Sequence, residues 1–115
     1  MIKGFGGVFW RSQNPEALKQ WYNKVLGLDI GEWNGAIIKI EGNSETIFSL
    51  FDNEDEYFPK DQQVMVNFQV HDMEEVLAHI ERVGVLLAKD KQSGDFGQFV
   101  WIKDPDGRLI ELWEK

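Results

Sequence analysis

The sequence contains no cysteine, which excludes disulfide bonds, thiol nucleophiles and cysteine-ligated metal sites. It shows no basic segment followed by an apolar one, so no signal peptide is predicted. No apolar run approaches the length of a membrane span, so no membrane association is expected. A chain without disulfides is typical of the reducing cytoplasm, and we expect a cytoplasmic protein.

Positive charge is also scarce. Lys and Arg number 12 against 20 Asp and Glu, which gives a formal net charge of -8. Such a chain repels nucleic acid and anionic membranes, so neither is expected as a partner. The negative field favours a cationic ligand, although the same charge also keeps a protein soluble.

Aromatic residues, in contrast, are plentiful. They make up 13% of the 115 residues and include five Trp and eight Phe. The length suits one domain with a core of its own, residues 1–115. We therefore expect some aromatic side chains to line a site and others to fill the core.

The first half of the chain predicts one strand, one helix and three further strands. Alternating residues from Lys3 to Ser12 indicate a strand. Asn14 suits a helix N-cap, Pro15 suits the first helical position, and Gly27 suits the C-terminal stop. The further strands are predicted near residues 28–34, 36–41 and 45–52.

An acidic run, Asp52 to Glu56, separates the two halves and is followed by Tyr57-Phe58-Pro59. It resembles part of a calcium loop but lacks the glycine and the distal glutamate of that motif. We interpret it as a solvated linker, residues 53–62, between a first module of about 1–52 and a second of about 63–115.

The second half repeats the order of the first. A strand is predicted from Gln63 to Val70, Asp72 and Glu75 form a capping box, and Gly84 ends the helix. The breaker Asp104-Pro105-Asp106-Gly107 predicts a tight turn between two strands. The last three strands are predicted at 85–90, 96–103 and 108–113.

This repetition indicates an internal duplication, because the two helix N-caps lie about half the chain apart. The predicted fold class is α+β. It consists of two tandem βαβββ modules that form a concave curved sheet with the helices on the outside. The concave face is then free to build a site.

Three groups of residues resemble the vicinal oxygen chelate superfamily, which includes glyoxalases, bleomycin resistance proteins and extradiol dioxygenases. The resemblance covers nearly the whole chain and supports the predicted fold. It also implies a homodimer. Its motifs are Asn14-Pro15-Glu16-Ala17-Leu18 with Trp21-Tyr22 and Leu26-Gly27-Leu28, then Val70-His71-Asp72, then Phe96-Gly97 with Asp104-Pro105-Asp106-Gly107 and Ile110-Glu111-Leu112-Trp113.

In metal-using members of this superfamily, four ligands occupy equivalent strand positions of the two modules. The matching positions here are Gly7, Phe48, Met65 and Glu111. Only Glu111 offers a ligand suited to a divalent ion, and neither His71 nor His79 lies at a ligand position. A register shift of two residues would place Phe9 or Asn67 there, which gives no metal centre either. We therefore expect no catalytic metal and no cofactor.

Strand alternation directs a second set of side chains into the cleft. Arg11 and Glu111 either pair with each other or contact charged groups of a ligand. The aromatic residues either stack on a ligand or belong to the core or a dimer interface. The predicted ligand-binding residues are Phe9, Arg11, Phe48, Leu50, Asn67, Gln69, Phe99, Trp101, Glu111 and Trp113.

Two functions remain open at this point. The first is a metal-independent small-molecule binding protein resembling the bleomycin resistance branch, with an aromatic or cationic ligand in an aromatic-lined cleft. A regulatory binding module cannot be separated from it. The second is a lyase or epimerase resembling glyoxalase I, in which Glu111 is the catalytic base that abstracts a proton.

Overall fold

Two capped helices pack against the sheet in a computed structural model that describes residues 1–115. Helix α1 spans Pro15–Leu26, and the Asn14 side chain accepts a hydrogen bond from the backbone N–H of Ala17 at 3.1 Å. Helix α2 spans Met73–Arg82 and is capped by Asp72. Both predicted N-caps are confirmed, but the Glu75 side chain does not return the hydrogen bond to Asp72 that the predicted capping box requires. Neither helix is long and apolar enough to cross a membrane.

Four strands form one curved, open sheet in the order β1-β4-β3-β2. Strand β1 runs parallel to β4, whereas β4 and β2 each run antiparallel to β3. The α+β fold class predicted from the sequence is confirmed. The strands are β1 at Val66–Gln69, β2 at Lys89–Gly94, β3 at Gly97–Lys103 and β4 at Leu109–Glu114.

The turn between β3 and β4 is the predicted breaker. The backbone N–H of Gly107 donates to the carbonyl of Asp104 at 2.9 Å, and Gly107 adopts a φ of 85°. At the other end of β3, a Cβ on Gly97 would lie 2.1 Å from the Glu114 carbonyl oxygen. Only glycine therefore allows the end of β4 to approach the start of β3.

One face of the sheet carries the core. Alternate residues of β3 and β4 point toward the helices, as the sequence pattern predicts. Side chains of both helices pack against these strand residues. Because both helices lie on this face, the opposite face of the sheet has no helix. The buried core residues are Leu18, Tyr22, Val25, Met73, Ile80, Val100, Ile102, Ile110 and Leu112.

The strands predicted in the first half, at 3–12, 28–34, 36–41 and 45–52, do not form. Only the second predicted module has its strands hydrogen-bonded in a sheet. Within residues 28–52 the backbone hydrogen bonds are local turn contacts, such as Ser44 N–H to Glu41 O. The alternating pattern was present, but a strand also needs a partner for its backbone groups, and none lies opposite these segments.

Two strands of the second module also differ from the prediction by more than one residue. Strand β2 spans Lys89–Gly94 instead of 85–90, and its later start follows from the N–H of Val85, which bonds back to Ile80 O at 2.8 Å. Strand β1 begins at Val66 instead of Gln63. The Gln62 side chain exchanges two hydrogen bonds of 2.9 Å with the backbone of Leu109 and so holds the preceding segment against β4.

Candidate functional site

The helix-free face of the sheet carries polar and aromatic side chains side by side. Asn67 on β1 lies opposite Glu111 on β4, and Glu111 lies opposite Trp101 on β3. One step along the strands, Trp113 lies opposite Phe99. Because neighbouring strands bring side chains of one face within contact distance, these residues form one continuous surface.

The Glu111 carboxylate is the centre of this surface and is only 6% exposed. It accepts hydrogen bonds from Asn67 Nδ2 at 2.6 Å, from Trp101 Nε1 at 2.9 Å and from the Tyr57 hydroxyl. Three donors therefore satisfy the carboxylate without a cationic partner. The sequence pattern placed Glu111 on this face but did not reveal these partners.

Tyr57 reaches the site from the segment that the sequence indicated as a solvated linker. Burial, and then the hydrogen bond to Glu111, raise the pKa of the Tyr57 hydroxyl well above its ordinary value. The prediction of a fully solvated linker is wrong at Tyr57, which is half-buried. The signal was the apolar Tyr57-Phe58-Pro59 after the acidic run, in a chain with only two tyrosines.

Lys89, which the sequence did not single out, lies over two of these rings. Its Nζ is 4.9 Å from the centre of the Tyr57 ring and 4.8 Å from that of Trp101. The same ammonium donates to the Tyr57 carbonyl oxygen at 2.6 Å. A lysine of the chain itself thus takes the cation–π position between these rings.

The aromatic side chains continue along the sheet in a stacked series that we call the ring ladder, consisting of Trp101, Phe99 and Trp113. The Phe99 ring centre lies 6.4 Å from that of Trp101 and 5.9 Å from that of Trp113. The interplanar angles are 17° and 3°. Trp101 is fully buried, whereas Phe99 and Trp113 are partly exposed, so the ladder presents flat apolar surface at one end.

Residues 7–113 match the sequence profile of the Glyoxalase-like domain, which covers almost the whole chain and the complete sheet. The chain belongs to the glyoxalase-like domain family. Membership of the vicinal oxygen chelate superfamily, indicated by the sequence motifs, is thereby confirmed. No curated protein matches the chain by sequence.

Solved structures share the fold of this glyoxalase-like domain at low sequence identity. TnmS3, an antibiotic binding protein from Streptomyces sp. CB03234, is 20% identical, with a TM-score of 0.57 and 90% of this chain and 87% of that chain covered. Lactoylglutathione lyase from Agrobacterium tumefaciens is 16% identical, with a TM-score of 0.57 and coverages of 97% and 96%. At these identities the likeness shows the fold alone.

A glyoxalase/bleomycin resistance protein/dioxygenase superfamily member from Sphaerobacter thermophilus DSM 20745 is 17% identical, with a TM-score of 0.57. All of this chain and 98% of that chain are covered. Proteins described as a binder and as a lyase therefore share one fold, and function has to be argued from the side chains.

The structure brings six of the predicted ligand-binding residues onto one sheet face, whereas the other four lie outside the strands of the sheet. Asn67, Gln69, Phe99, Trp101, Glu111 and Trp113 lie together on β1, β3 and β4. Gln69 also donates to the Glu45 carbonyl at 3.3 Å, which holds the first half beside β1.

The other four residues belong to the first half, where the predicted strands do not form. Phe9, Phe48 and Leu50 are exposed by 94%, 74% and 84%. The ion pair between Arg11 and Glu111 that the sequence left open does not form, since Glu111 is bound by uncharged donors. The Arg11 carbonyl instead accepts a hydrogen bond from the Arg108 guanidinium.

The metal-ligand positions of the superfamily do not offer a donor set here. Gly7, Phe48 and Met65 have no oxygen or nitrogen in their side chains, and all three hydrogen bonds to Glu111 come from donors that a metal would have to displace. Asn67, not Met65, is the residue opposite Glu111. The residues present therefore do not fit a divalent cation.

A second buried carboxylate, Asp104, joins the β3–β4 turn to helix α1. It accepts from the Tyr22 hydroxyl at 2.8 Å and forms an ion pair with Arg108 at 3.1 Å. Burial and the contact with Asp104 raise the pKa of Tyr22 well above its ordinary value of 10.0. Both tyrosines of the chain thus donate to carboxylates.

We expect alkaline pH to unfold this glyoxalase-like domain. Because the folded-state pKa of Tyr22 lies above that of the unfolded chain, its stabilisation is complete below pH 10.0 and is lost as the pH rises further. The loss is about 1.4 kcal/mol per pH unit until the folded-state pKa is reached.

An ultraviolet pH titration of tyrosinate absorbance measures this. Both tyrosines should ionise in one cooperative step that coincides with the loss of helical circular dichroism. Independent ionisation near pH 10.0 in a protein that stays folded would contradict the two tyrosine–carboxylate contacts. Tyr22→Phe should weaken the alkaline sensitivity and retain the Tyr57 signal.

Proposed function

We propose that this glyoxalase-like domain is a metal-independent binding protein for a flat small molecule that lies against the ring ladder. The observation that carries the proposal is the near-parallel stacking of Trp101, Phe99 and Trp113, with partly exposed rings at one end. A ligand ring can extend this series with offset stacking. Asn67 and Gln69 line the same face and offer hydrogen bonds beside the apolar surface.

Among the aromatic and cationic ligands expected from the sequence, the contacts favour an aromatic one. Lys89 already takes the position between Tyr57 and Trp101 that a ligand cation would need. A second cation there would meet repulsion from the lysine ammonium. The flat apolar surface of the rings is therefore what this face offers a ligand, and it suits an aromatic one.

The alternative, a lyase or epimerase that uses Glu111 to abstract a proton, finds less support. A general base must reach the proton that it removes, within about 2.6–3.2 Å or through one water. Both oxygens of Glu111 are engaged by donors, and the carboxylate is nearly buried. The residues at the superfamily's metal positions supply no electrophile to stabilise the product of proton removal.

A thermal-shift series with metal-free protein tests the binding proposal. Quinoline and 2-naphthol are suitable flat probes, and a probe present at about 100 times its Kd should stabilise the fold by about 2.7 kcal/mol. Trp113→Ala should weaken binding by about two- to 13-fold, since a stacked aromatic pair contributes about 0.5–1.5 kcal/mol. Trp33→Ala is the matched control, because Trp33 is exposed in the first half.

If Trp113→Ala and Trp33→Ala change the affinity for the probes equally, the probes do not bind at the ring ladder and the proposal is contradicted.

A second experiment measures the metal content of the protein and its thermal shift with nickel, zinc, manganese and iron. One equivalent of tightly bound metal, with a clear stabilisation, would contradict metal independence and favour the lyase or epimerase alternative.

We include a homodimer in this proposal. Six large apolar residues between positions 37 and 50 are exposed, and the backbone of this segment lacks strand partners. Exposed apolar side chains and unpaired backbone groups are what an association between subunits buries. Sedimentation equilibrium should give twice the chain mass of 13.4 kDa, and a monomer at high concentration would contradict it. The six apolar residues are Ile37, Ile38, Ile40, Ile47, Phe48 and Leu50.

We also propose a cytoplasmic location, which is tested by fractionating cells that produce the protein.

A further inference from the structure

An open pocket of about 570 Å³ lies beside Lys89 and is lined on one side by the segment that contains Tyr57. Three lysines line it, together with a single acidic residue, Glu56. In a chain with 20 acidic and 12 basic residues, this local excess of positive charge opposes the overall composition. The lysines are Lys60, Lys89 and Lys103.

Lys89 is held in place on the wall of this pocket. Its ammonium lies over the Tyr57 and Trp101 rings and donates one hydrogen bond, to the Tyr57 carbonyl. The Lys89 ammonium forms no ion pair with a carboxylate. An ammonium carries three N–H donors, so a fixed positive charge retains donors for another acceptor.

The other two lysines add charge that an incoming group can reach. Lys103 lies two residues beyond Trp101 on β3 and therefore on the same face of the sheet, and its ammonium makes no hydrogen bond or ion pair. Lys60 pairs with Glu54 at 3.0 Å, but both side chains are more than half exposed. Such a surface pair is weak and can be replaced by a ligand anion.

We propose that this pocket binds a small organic anion, whose phosphate or carboxylate group contacts the lysines and whose apolar part lies against Phe58 and Pro59. The shared chemistry is a compact anionic group, which lysine ammoniums bind as point charges. The pocket adjoins the ring ladder through Tyr57 and Lys89 but needs no ligand on the ladder. The inference therefore goes beyond the proposed function.

Calorimetric titration of the full chain with phenyl phosphate, benzoate and phenol tests this site. We expect at least one of the two anions to bind more tightly than phenol, which has the same ring and no anionic group. Binding should weaken when the ionic strength rises from about 0.01 M to about 0.15 M, because the Debye length falls from about 30 Å to about 8 Å. Comparison of the two anions identifies the preferred group.

The double variant Lys60→Met/Lys103→Met removes two charges from the pocket and leaves Lys89 and its ring contacts intact. It should weaken anion binding by about two- to 30-fold, because each exposed charge pair contributes about 0.2–1 kcal/mol and the two contributions add. The matched control is Lys19→Met/Lys24→Met on α1, which makes the same change in net charge on the opposite side of the sheet. We expect the control to bind the anion almost as the unaltered chain does.

Two results would overturn the proposal. One is that neither anion binds more tightly than phenol. The other is that the α1 control loses as much affinity as the pocket variant, which would assign the effect to net charge. Failure of the ring-ladder proposal alone gives a different pattern. The affinity for quinoline and 2-naphthol is then the same in Trp113→Ala as in the unaltered chain, while the anion still binds.

Discussion

Asp104→Ala is expected to lower the free energy of unfolding by about 3–5 kcal/mol, the range for removing one partner of a buried charge pair. Asp104 is 4% exposed and accepts hydrogen bonds from the Tyr22 hydroxyl, the Arg108 guanidinium and the N–H groups of Asp106 and Arg108. Alanine leaves these donors without an acceptor, and buried donors without a partner are costly. The same change disconnects the β3–β4 turn from α1.

Urea unfolding followed by circular dichroism measures the effect. The matched control is Asp106→Ala in the same turn, since Asp106 contacts Arg108 at 3.3 Å from a partly exposed position. We expect the control to change stability by less than about 1 kcal/mol, as for other surface ion pairs. The loss of stability for Asp104→Asn should lie between those of the two alanine variants, because the amide keeps one acceptor oxygen. Equal losses for Asp104→Ala and Asp106→Ala would show that Asp104 is not the anchor of the turn.

The elements that the sequence predicts correctly are those decided by neighbours in the chain. Asn14 caps α1 through the N–H three residues later, and Gly107 completes a turn that begins at Asp104. Strand alternation is equally local. It places Trp101 and Glu111 on one face and Ile102 and Ile110 on the other, as the structure confirms.

The parts that the sequence did not predict depend on contacts between distant residues. Tyr57 donates to Glu111 across 54 positions, and Lys89 donates to the Tyr57 carbonyl across 32. No local pattern sets these distances. The same reason explains the missing strands of the first half, because alternation indicates which side of a strand is apolar but not whether a partner strand will be present.

Glu111 combines both kinds of information, since its face was predictable and its partners were not. Glu111→Leu should lower the free energy of unfolding by about 2–4 kcal/mol. It removes the acceptor of the buried Trp101 indole N–H, for which an unsatisfied group costs about 1–3 kcal/mol. Asn67 and Tyr57 also lose their bonds but lie closer to solvent, so water compensates them in part.

Glu111→Gln provides the decisive comparison, because it preserves shape and removes only the charge. Its amide oxygen can accept from Tyr57 and Trp101, and its amide nitrogen can donate to Asn67 once the Asn67 amide rotates to present its oxygen. We therefore expect a loss of only about 1 kcal/mol, the difference between charged and neutral acceptors. Urea unfolding of both variants, with Gln69→Leu as the exposed control on the same face, separates these outcomes.

A double-mutant cycle then isolates the long-range contact. Tyr57→Phe combined with Glu111→Leu should give a coupling of about 1.5–3 kcal/mol, the range for a hydrogen bond to a charged acceptor. Additive losses would mean that the segment around Tyr57 is not held to the sheet by Glu111. A positive coupling would show that Glu111 holds Tyr57, whose carbonyl accepts the hydrogen bond from the Lys89 ammonium. The carboxylate would then act on both proposed binding surfaces by positioning their walls and not by contacting a ligand.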